Sequence, residues 1–356
     1  MTVRIKTFEA GGHGEMDKSS KILVTGANGH VGFNLVKMLL EYGYADLRVS
    51  VRDKDDPAKT GALKGLGITD VVSLDVRDAD TFRDVSAGVD VLFHVAATFR
   101  FHTGGANADS EMIKDSTDGV RSALNAAAEN KIAKVILTSS VVALPMVTDG
   151  GTWPDEESWN DQTTVPYVKA KTESEKLAWT LAEELGVNLV TVLPGVVLGP
   201  DFGRGTQSTD FVLAVMKGSM RMGTINARMP IVDVRDIARG HILAAEKDAA
   251  GRYILASDEP HEFPKIIEVM RKIDPEVPKA MMIVPKAMYG ALPFFDWMSN
   301  KTLGTPRTMT AEVASAFKAG EMLADNSKAK RELGWEPKVT LEQTLRDTMS
   351  ELKRAM

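Results

Sequence analysis

Short aliphatic and β-branched runs at residues 22–24, 47–51, 71–74, 89–95, 135–138 and 189–193 alternate along the chain with segments of helical periodicity. Runs that are apolar nearly throughout suit strands covered on both faces, and strands separated by helices pair in parallel through crossovers. Such crossovers are right-handed, so the pattern predicts an α/β fold built on a doubly wound parallel sheet. The helix after the first run shows the expected stripe, Val31, Leu35 and Leu39 flanked by Val36 and Leu40. The rhythm fails after Pro194-Gly195, where loops rich in Gly, Met and Arg fill 201–230. It returns at Ile231-Val232, with Asp233 placed to cap a helix through Ile237 and Ile242, and Tyr253-Ile254-Leu255 reads as a last strand.

This pattern divides the chain into a flexible extension at 1–19, a nucleotide-binding domain at 20–200 plus 231–256, and a substrate-binding lobe at 201–230 plus 257–356. The lobe would lie over the carboxyl ends of the strands, where open α/β sheets bind ligands. With 356 residues, 44% of them hydrophobic, the chain can bury a large core. Its net charge of −6 is spread among interspersed acids and bases, so no basic track is available for nucleic acid. There is no cysteine, and the six histidines lack metal-ligand spacing, which favours metal-free chemistry.

Residues 1–20 have no apolar signal-peptide core, so a cytoplasmic location is expected, with Met16 a second candidate start. The stretch 280–297 is the most apolar later segment, but Pro285, Lys286, Pro293 and Asp296 break it. It is too short to span a bilayer and reads as packing or substrate-facing surface.

Gly26, Gly29 and Gly32 follow the first strand and open a helix in Thr-Gly-Ala-Asn-Gly-His-Val-Gly, residues 25–32. That setting lets backbone approach a pyrophosphate and offers it helix N-terminal N–H groups, which makes Gly26, Asn28, Gly29, His30 and Val31 candidate cofactor contacts. Asn28 is also suited to hold the turn through side-chain bonds to backbone. The second strand ends at Arg52, followed by Lys59; both are placed to clamp a 2′-phosphate, favouring NADP(H) over NAD(H) against the weakening field of Asp53, Asp55 and Asp56.

Tyr167 and Lys171 are four residues apart and would share one helix face, continued by Ser174, Ala178, Leu181 and Leu185. An ammonium beside the phenol would draw its pKa down from near 10 towards a range useful for proton exchange. As hydride reaches a carbonyl carbon, the oxygen gains charge and needs a proton and a hydrogen bond. The strand ending Leu137-Thr138-Ser139-Ser140 supplies hydroxyls at the same edge; Ser140 is the first choice to hold the substrate oxygen and Ser139 its rival.

With these motifs, Val51-Arg52-Asp53, Leu74-Asp75-Val76, Phe93-His94-Val95-Ala96-Ala97, Leu193-Pro194-Gly195-Val196 and Leu333-Gly334-Trp335-Glu336-Pro337, the chain resembles the extended short-chain dehydrogenase/reductases, and among them the dihydroflavonol reductase-like branch. The resemblance implies a seven-stranded Rossmann sheet binding NADP and a triad of Ser140, Tyr167 and Lys171. It also implies adenine contacts from Asp75 and Val76, nicotinamide-side contacts from Ala96, Ala97, Thr98 and Ser139, and a nicotinamide-binding turn of Pro194, Gly195, Val196 and Val197. Tyr167 and Lys171 would touch the cofactor too, Lys171 through the nicotinamide ribose. Many relatives carry Asn near position 116, where this chain has Ser116, and segment 98–106 is unlike the plant enzymes' version. Phe99, Phe101 and His102 are candidate substrate contacts.

The function expected is reduction of a ketone or aldehyde of a hydrophobic, aromatic-type small molecule, reversible as alcohol oxidation, with a homodimer left open. A 3β-hydroxysteroid dehydrogenase-like activity is a second reading, using Met281, Met282, Met288, Phe294 and Phe295 as core or pocket. Nucleotide-sugar epimerisation is disfavoured by Val141-Val142-Ala143-Leu144 in place of a Val-Tyr-Gly signature, and a non-catalytic NADP sensor by the intact Tyr-Lys pair.

Overall fold

The computed structural model of the chain describes residues 16–96, 106–148, 150–163, 165–203 and 205–355. β1 (Ile22–Thr25), α1 (His30–Glu41), β2 (Leu47–Val51), α2 (Pro57–Gly65), β3 (Asp70–Ser73), α3 (Ala79–Val85) and β4 (Val91–His94) make the first alternation. α4 (Ala106–Glu129), β5 (Lys134–Thr138), α5 (Pro166–Leu185) and β6 (Leu189–Pro194) continue it. After β7 (Val196–Leu198), α6 (Gln207–Met216), β8 (Thr224–Ile225), β9 (Arg228–Met229), β10 (Ile231–Asp233) and α7 (Val234–Glu246), the strand β11 (Gly251–Leu255) completes the sheet.

Seven strands pair in the order β11-β6-β5-β4-β1-β2-β3, all parallel. The expected doubly wound sheet is therefore present. Its strand order reverses at β1, which lies between β2 and β4, and the crevice at that switch point is where such sheets hold ligands. Leu35, Val36 and Leu39 of α1 pack with Ile237, Ile242 and Ala245 of α7 on one face, while Phe82, Leu124 and Ala178 from α3, α4 and α5 cover the other.

Several local expectations change. Ile231-Val232 forms a strand, and Asp233 caps α7 by accepting the Arg235 N–H at 2.9 Å, but β10 pairs with β7 outside the main sheet. β6 ends at Pro194, and the chain turns out with the Gly195 N–H on Leu255 O and the Val196 N–H on Pro230 O. Segment 16–19, expected to end a loose extension, is docked: Met16 is buried and gives its N–H to Ala245 O, and the Lys18 ammonium lies over the Tyr44 ring. Leu185 falls off the buried face of α5 because the helix ends there, and Gly186 closes it in the left-handed region.

β12 (His261–Glu262), α8 (Phe263–Ile273), β13 (Ile283–Val284), α9 (Leu292–Leu303), α10 (Ala311–Ala319) and α11 (Leu341–Ala355) follow. A second core joins α6, α8, α10 and α11 through Val212, Phe263, Ile266, Met270, Phe317 and Leu345. The segment between α10 and α11 does not stay in that lobe. Ala329, Leu333 and Trp335 enter the core between the sheet and α1 and α7, where the fully buried Trp335 donates its indole N–H to Asp236 O at 2.8 Å.

Met281, Met282, Met288, Phe294 and Phe295, expected in core or pocket, are instead all exposed. Among the described residues no helix is long and apolar enough to cross a membrane, and no three His, Asp or Glu side chains group as a metal site.

Candidate active site

The glycine turn is tied to the sheet by Thr25. Its hydroxyl accepts the N–H groups of Val95 and Ala96, each at 3.1 Å, and bonds the His94 ring at 3.1 Å, so the ends of β1 and β4 are pinned together. This brings Gly26 so close to Ala96 that a Cβ at Gly26, whose φ is +66°, would lie 2.8 Å from the Ala96 Cα. At Gly32 a Cβ would meet Gly26 O at 2.3 Å. Both positions require glycine, and the close packing leaves the backbone open towards the crevice. α1 starts at Gly29 with no side chain capping it, leaving its first N–H groups free for an anionic ligand. The Asn28 amide makes no hydrogen bond among the described residues, so the turn is held by Thr25 rather than by Asn28.

Arg52 extends into solvent from the end of β2 and forms no ion pair among the described residues. Lys59 is occupied by Asp56 at 3.1 Å. Asp75 is gripped by Arg77 at 2.6 and 2.9 Å, and that guanidinium holds its carboxyl down to about 2, with Arg52 adding a weaker pull. Arg77 in turn reaches Asp115 of α4 at 3.1 Å.

Pro166 occupies the first position of α5, where its missing N–H is harmless and its fixed φ starts the helix. Tyr167 stands in that first turn, with the Ser140 hydroxyl near enough to favour its ionised form. Ser140 begins a 3-10 turn over Val141–Ala143 and accepts the Val142 N–H at 3.3 Å. Burial pushes the Tyr167 phenol up, opposed by the Ser140 hydroxyl. The expected downward pull from Lys171 is not among the influences on the phenol.

Lys171 is half-buried; desolvation lowers it to about 8 despite the opposing charge of Glu175, and its ammonium points at Thr138 O, 3.4 Å away. The Thr138 hydroxyl bonds the Nε2 of His241 at 2.8 Å, while the His241 Nδ1 lies 2.9 Å from Ile237 O. Burial lowers His241 to about 4, so the ring is neutral at pH 7, with Nδ1 protonated towards the carbonyl and Nε2 accepting.

Ser139 has a different environment from Ser140. It is buried and donates to Glu175 Oε2 at 2.6 Å; Thr191 of β6 donates to Glu175 Oε1 at 2.7 Å. Arg252 of β11 closes the network, meeting the same carboxylate at 2.9 and 3.2 Å, giving its remaining nitrogen to Glu156 O and Ser158 O, both at 2.7 Å, and lying 3.7 Å from the Trp159 ring. Glu175 and Arg252 escaped the sequence reading. The available signal was Glu175 itself, an acid four residues beyond Lys171 on a helix face otherwise read as buried and apolar.

Ser140 and Tyr167 open onto a cavity of about 640 Å³, whose wall also includes His30, Val31, Ser139 and the Pro194, Gly195, Val196 and Val197 turn. The far wall comes from Met146, Phe211, Met229, Phe263, Met309 and Phe317. None of the described lining residues is Asp, Glu, Lys or Arg. The His30 ring packs edge-on against Phe202 at 5.7 Å and reaches Pro200 O at 3.1 Å; burial lowers it to about 4 and keeps it neutral.

A second cavity of about 30 Å³, on the scale of a single water, gathers Val76, Ala96, Ser116, Ser139, Lys171 and Glu175. Ser116 therefore does lie beside the Lys171 pocket. Ala97, Thr98, Phe99, Phe101 and His102 fall outside the described residues.

The arrangement is accompanied by clear similarity to known proteins. The model of the NAD dependent epimerase/dehydratase family matches residues 22–256. Cinnamoyl-CoA reductase 1 of Arabidopsis thaliana is 32% identical over 304 residues, covering 82% of this chain and 86% of that protein. Anthocyanidin reductase of Vitis vinifera is 34% identical over 257 residues, covering 65% and 74%. The structure of yeast methylglyoxal/isovaleraldehyde reductase complexed with NADPH shares the fold at a TM-score of 0.72 and 22% identity, over 94% of this chain and 98% of that one.

Proposed function

Because the chain belongs to the NAD dependent epimerase/dehydratase family, as a dihydroflavonol reductase-like extended short-chain enzyme, we propose that it reduces a ketone or aldehyde with NADPH. The substrate would be a hydrophobic small molecule of aromatic type, and the reaction reversible as alcohol oxidation. The observation that carries this reading is Ser140 and Tyr167 sharing the wall of an apolar cavity of about 640 Å³, with a half-buried Lys171 one helical turn along α5.

The residues present fit a dinucleotide. Gly26 and Gly32 leave no room for a Cβ, the α1 N-terminus lacks a side-chain cap, and Arg52 is an exposed guanidinium without a protein partner among the described residues. Gly26, Gly29, His30 and Val31 would cradle the pyrophosphate and Arg52 would take the 2′-phosphate, with Lys59 free to help only if it leaves Asp56. Asp75 and Val76 would face the adenine; Ala96, Ser139 and the turn at Pro194–Val197 would line the nicotinamide side. NADPH, when bound, supplies the hydride.

The chain's own residues then manage the oxygen. Ser140 donates a hydrogen bond to the carbonyl oxygen, and Tyr167 gives it a proton as negative charge develops. Burial keeps Tyr167 a neutral phenol at pH 7, the form an acid must take. Once Tyr167 has given up its proton, the positive charge of Lys171 offsets the phenolate within a site that excludes water. The Glu175 carboxylate opposes the desolvation of that ammonium and occupies Ser139, leaving Ser140 to serve the substrate.

Among the described residues the cavity wall offers no guanidinium or ammonium to the diphosphate of a nucleotide-sugar. Replacing Tyr167 by Phe should preserve NADPH binding while lowering turnover about 10²–10⁴-fold. A panel of aryl ketones, aldehydes, flavanonols and steroids, run with both cofactors, identifies the substrate; near-normal turnover by Tyr167→Phe would sink the assignment.

A further inference from the structure

α9 is built inside out. Asp296, in its middle, is buried; it binds the Arg307 guanidinium and accepts the N–H groups of Thr308 at 3.0 Å and Met309 at 3.2 Å. Asn300, one turn further along the same side, donates its amide to Thr305 O at 2.7 Å. The opposite side presents Phe294, Trp297 and Met298 at 59, 46 and 37% exposure, with Phe295 on the flank at 43%. A helix lying on a soluble core normally turns its apolar side inward.

Immediately upstream, Met281, Met282, Ile283 and Met288 are each more than half exposed, and the Thr224 N–H on Met282 O at 3.0 Å holds this strand beside Met222, itself 60% exposed. Scattered exposed apolar side chains need no explanation. This density along 281–303 does.

Charge selects what covers it. Lys279 and Lys301 flank the exposed segment, whose one acid, Asp296, is buried and paired with Arg307. Arg221, whose carbonyl accepts the Met281 N–H, adds a third cation beside the same strand. Arg221, Lys279 and Lys301 form no ion pair among the described residues. This excess of cations stands on a chain whose net charge is −6. A two-fold dimer through this face would set it against its own copy, cation facing cation. An anionic surface attracts the same set.

We propose that residues 281–303 seat the protein on an anionic phospholipid bilayer. Phe294, Trp297 and Met298 enter the headgroup boundary, and Arg221, Lys279 and Lys301 meet the lipid phosphates. The contact is interfacial, consistent with a 12-residue helix that does not span. It does not depend on the reductase reading.

The test is co-sedimentation of the full chain with vesicles of phosphatidylcholine alone or mixed with phosphatidylglycerol. Binding is expected with the anionic mixture, weakening as salt screens the contact. Phe294→Ser combined with Trp297→Ser should abolish it, and Lys301→Gln should weaken it roughly fivefold, the effect of losing one interfacial cation. Both changes fall on exposed side chains, so thermal unfolding should be nearly unaltered; if the double variant does not fold, Lys301→Gln carries the test. The proposal is overturned by failure to bind the anionic vesicles, by equal binding of the variants, or by a dimer in velocity sedimentation that the double substitution dissolves.

Discussion

Arg252→Met is the sharpest probe of how α5, the helix of the candidate site, is held. Glu175 and Arg252 are each 1% exposed, so neither charge has water to fall back on. In the intact protein the carboxylate accepts four hydrogen bonds: two from Arg252, one from Ser139 and one from Thr191. Methionine keeps most of the arginine stem's volume but removes the countercharge, and breaking a buried pair from one side costs about 3–5 kcal/mol. The carbonyls of Glu156 and Ser158 lose their donor as well, so the upper half of that range is expected. At about 2 °C per kcal/mol for a large domain, the midpoint should fall by roughly 8–10 °C.

Glu175→Leu alone should be similarly damaging, because it strands the guanidinium. Combining the two removes both charges, and the double variant should be more stable than the sum of the singles predicts, by about 2 kcal/mol or more. Urea unfolding of all four proteins, followed by far-ultraviolet circular dichroism, measures that coupling. Additivity within about 0.5 kcal/mol would refute the view that the two side chains act as one unit.

Further tests separate neighbouring roles. Ser139→Ala should cost about 1–3 kcal/mol of stability, by removing a donor from a buried carboxylate, with modest effect on kcat; Ser140→Ala should do the reverse, and equal kcat losses would contradict the division of labour. Arg52→Ala should raise the KM for NADPH far more than for NADH, whereas equal changes would remove the basis for preferring NADP. Burial lowers His30, His94 and His241 from 6.5 to about 4. The unfolded chain therefore binds protons between those values that the folded one does not, and stability is lost as pH falls through that window, by at most about 3 kcal/mol per ring. A thermal midpoint that stays level from pH 7 to 5 would contradict neutral buried imidazoles.

Much of the architecture was legible because the sheet strands carry short, largely apolar and β-branched runs separated by helical segments, the pattern of a doubly covered parallel sheet. β2, over Leu47–Val51, coincides with its run, and Asp233 caps α7 as its side chain suggests. The fate of Ile231-Val232 was not legible: the local pattern states that it is a strand but not which neighbour it joins, and the turn at Gly195 decides that. Around the site, spacing brought Tyr167 and Lys171 to one face, but sequence preferred Ser140 over Ser139 without seeing what separates them, their contacts to distant residues: Glu175 for Ser139, Tyr167 for Ser140. The electrostatics were the least legible part. A nearby ammonium suggested a lowered Tyr167, yet desolvation, which no spacing rule reports, dominates it. The apolar residues of 281–303 carried a similar ambiguity, since hydrophobicity alone does not say whether a side chain faces a core or the outside.

Trp335 bears on how the protein is made. When a ribosome has finished β11, all seven strands of the sheet exist, but the α1 and α7 face still lacks Ala329, Leu333 and the indole bonded to Asp236. The nascent chain cannot settle its sheet and then add the rest in order, as domains emerging one after another do. A product that stops before residue 329 would expose that uncovered face to chaperones and proteases, so the tail end of the chain serves as the seal on its beginning.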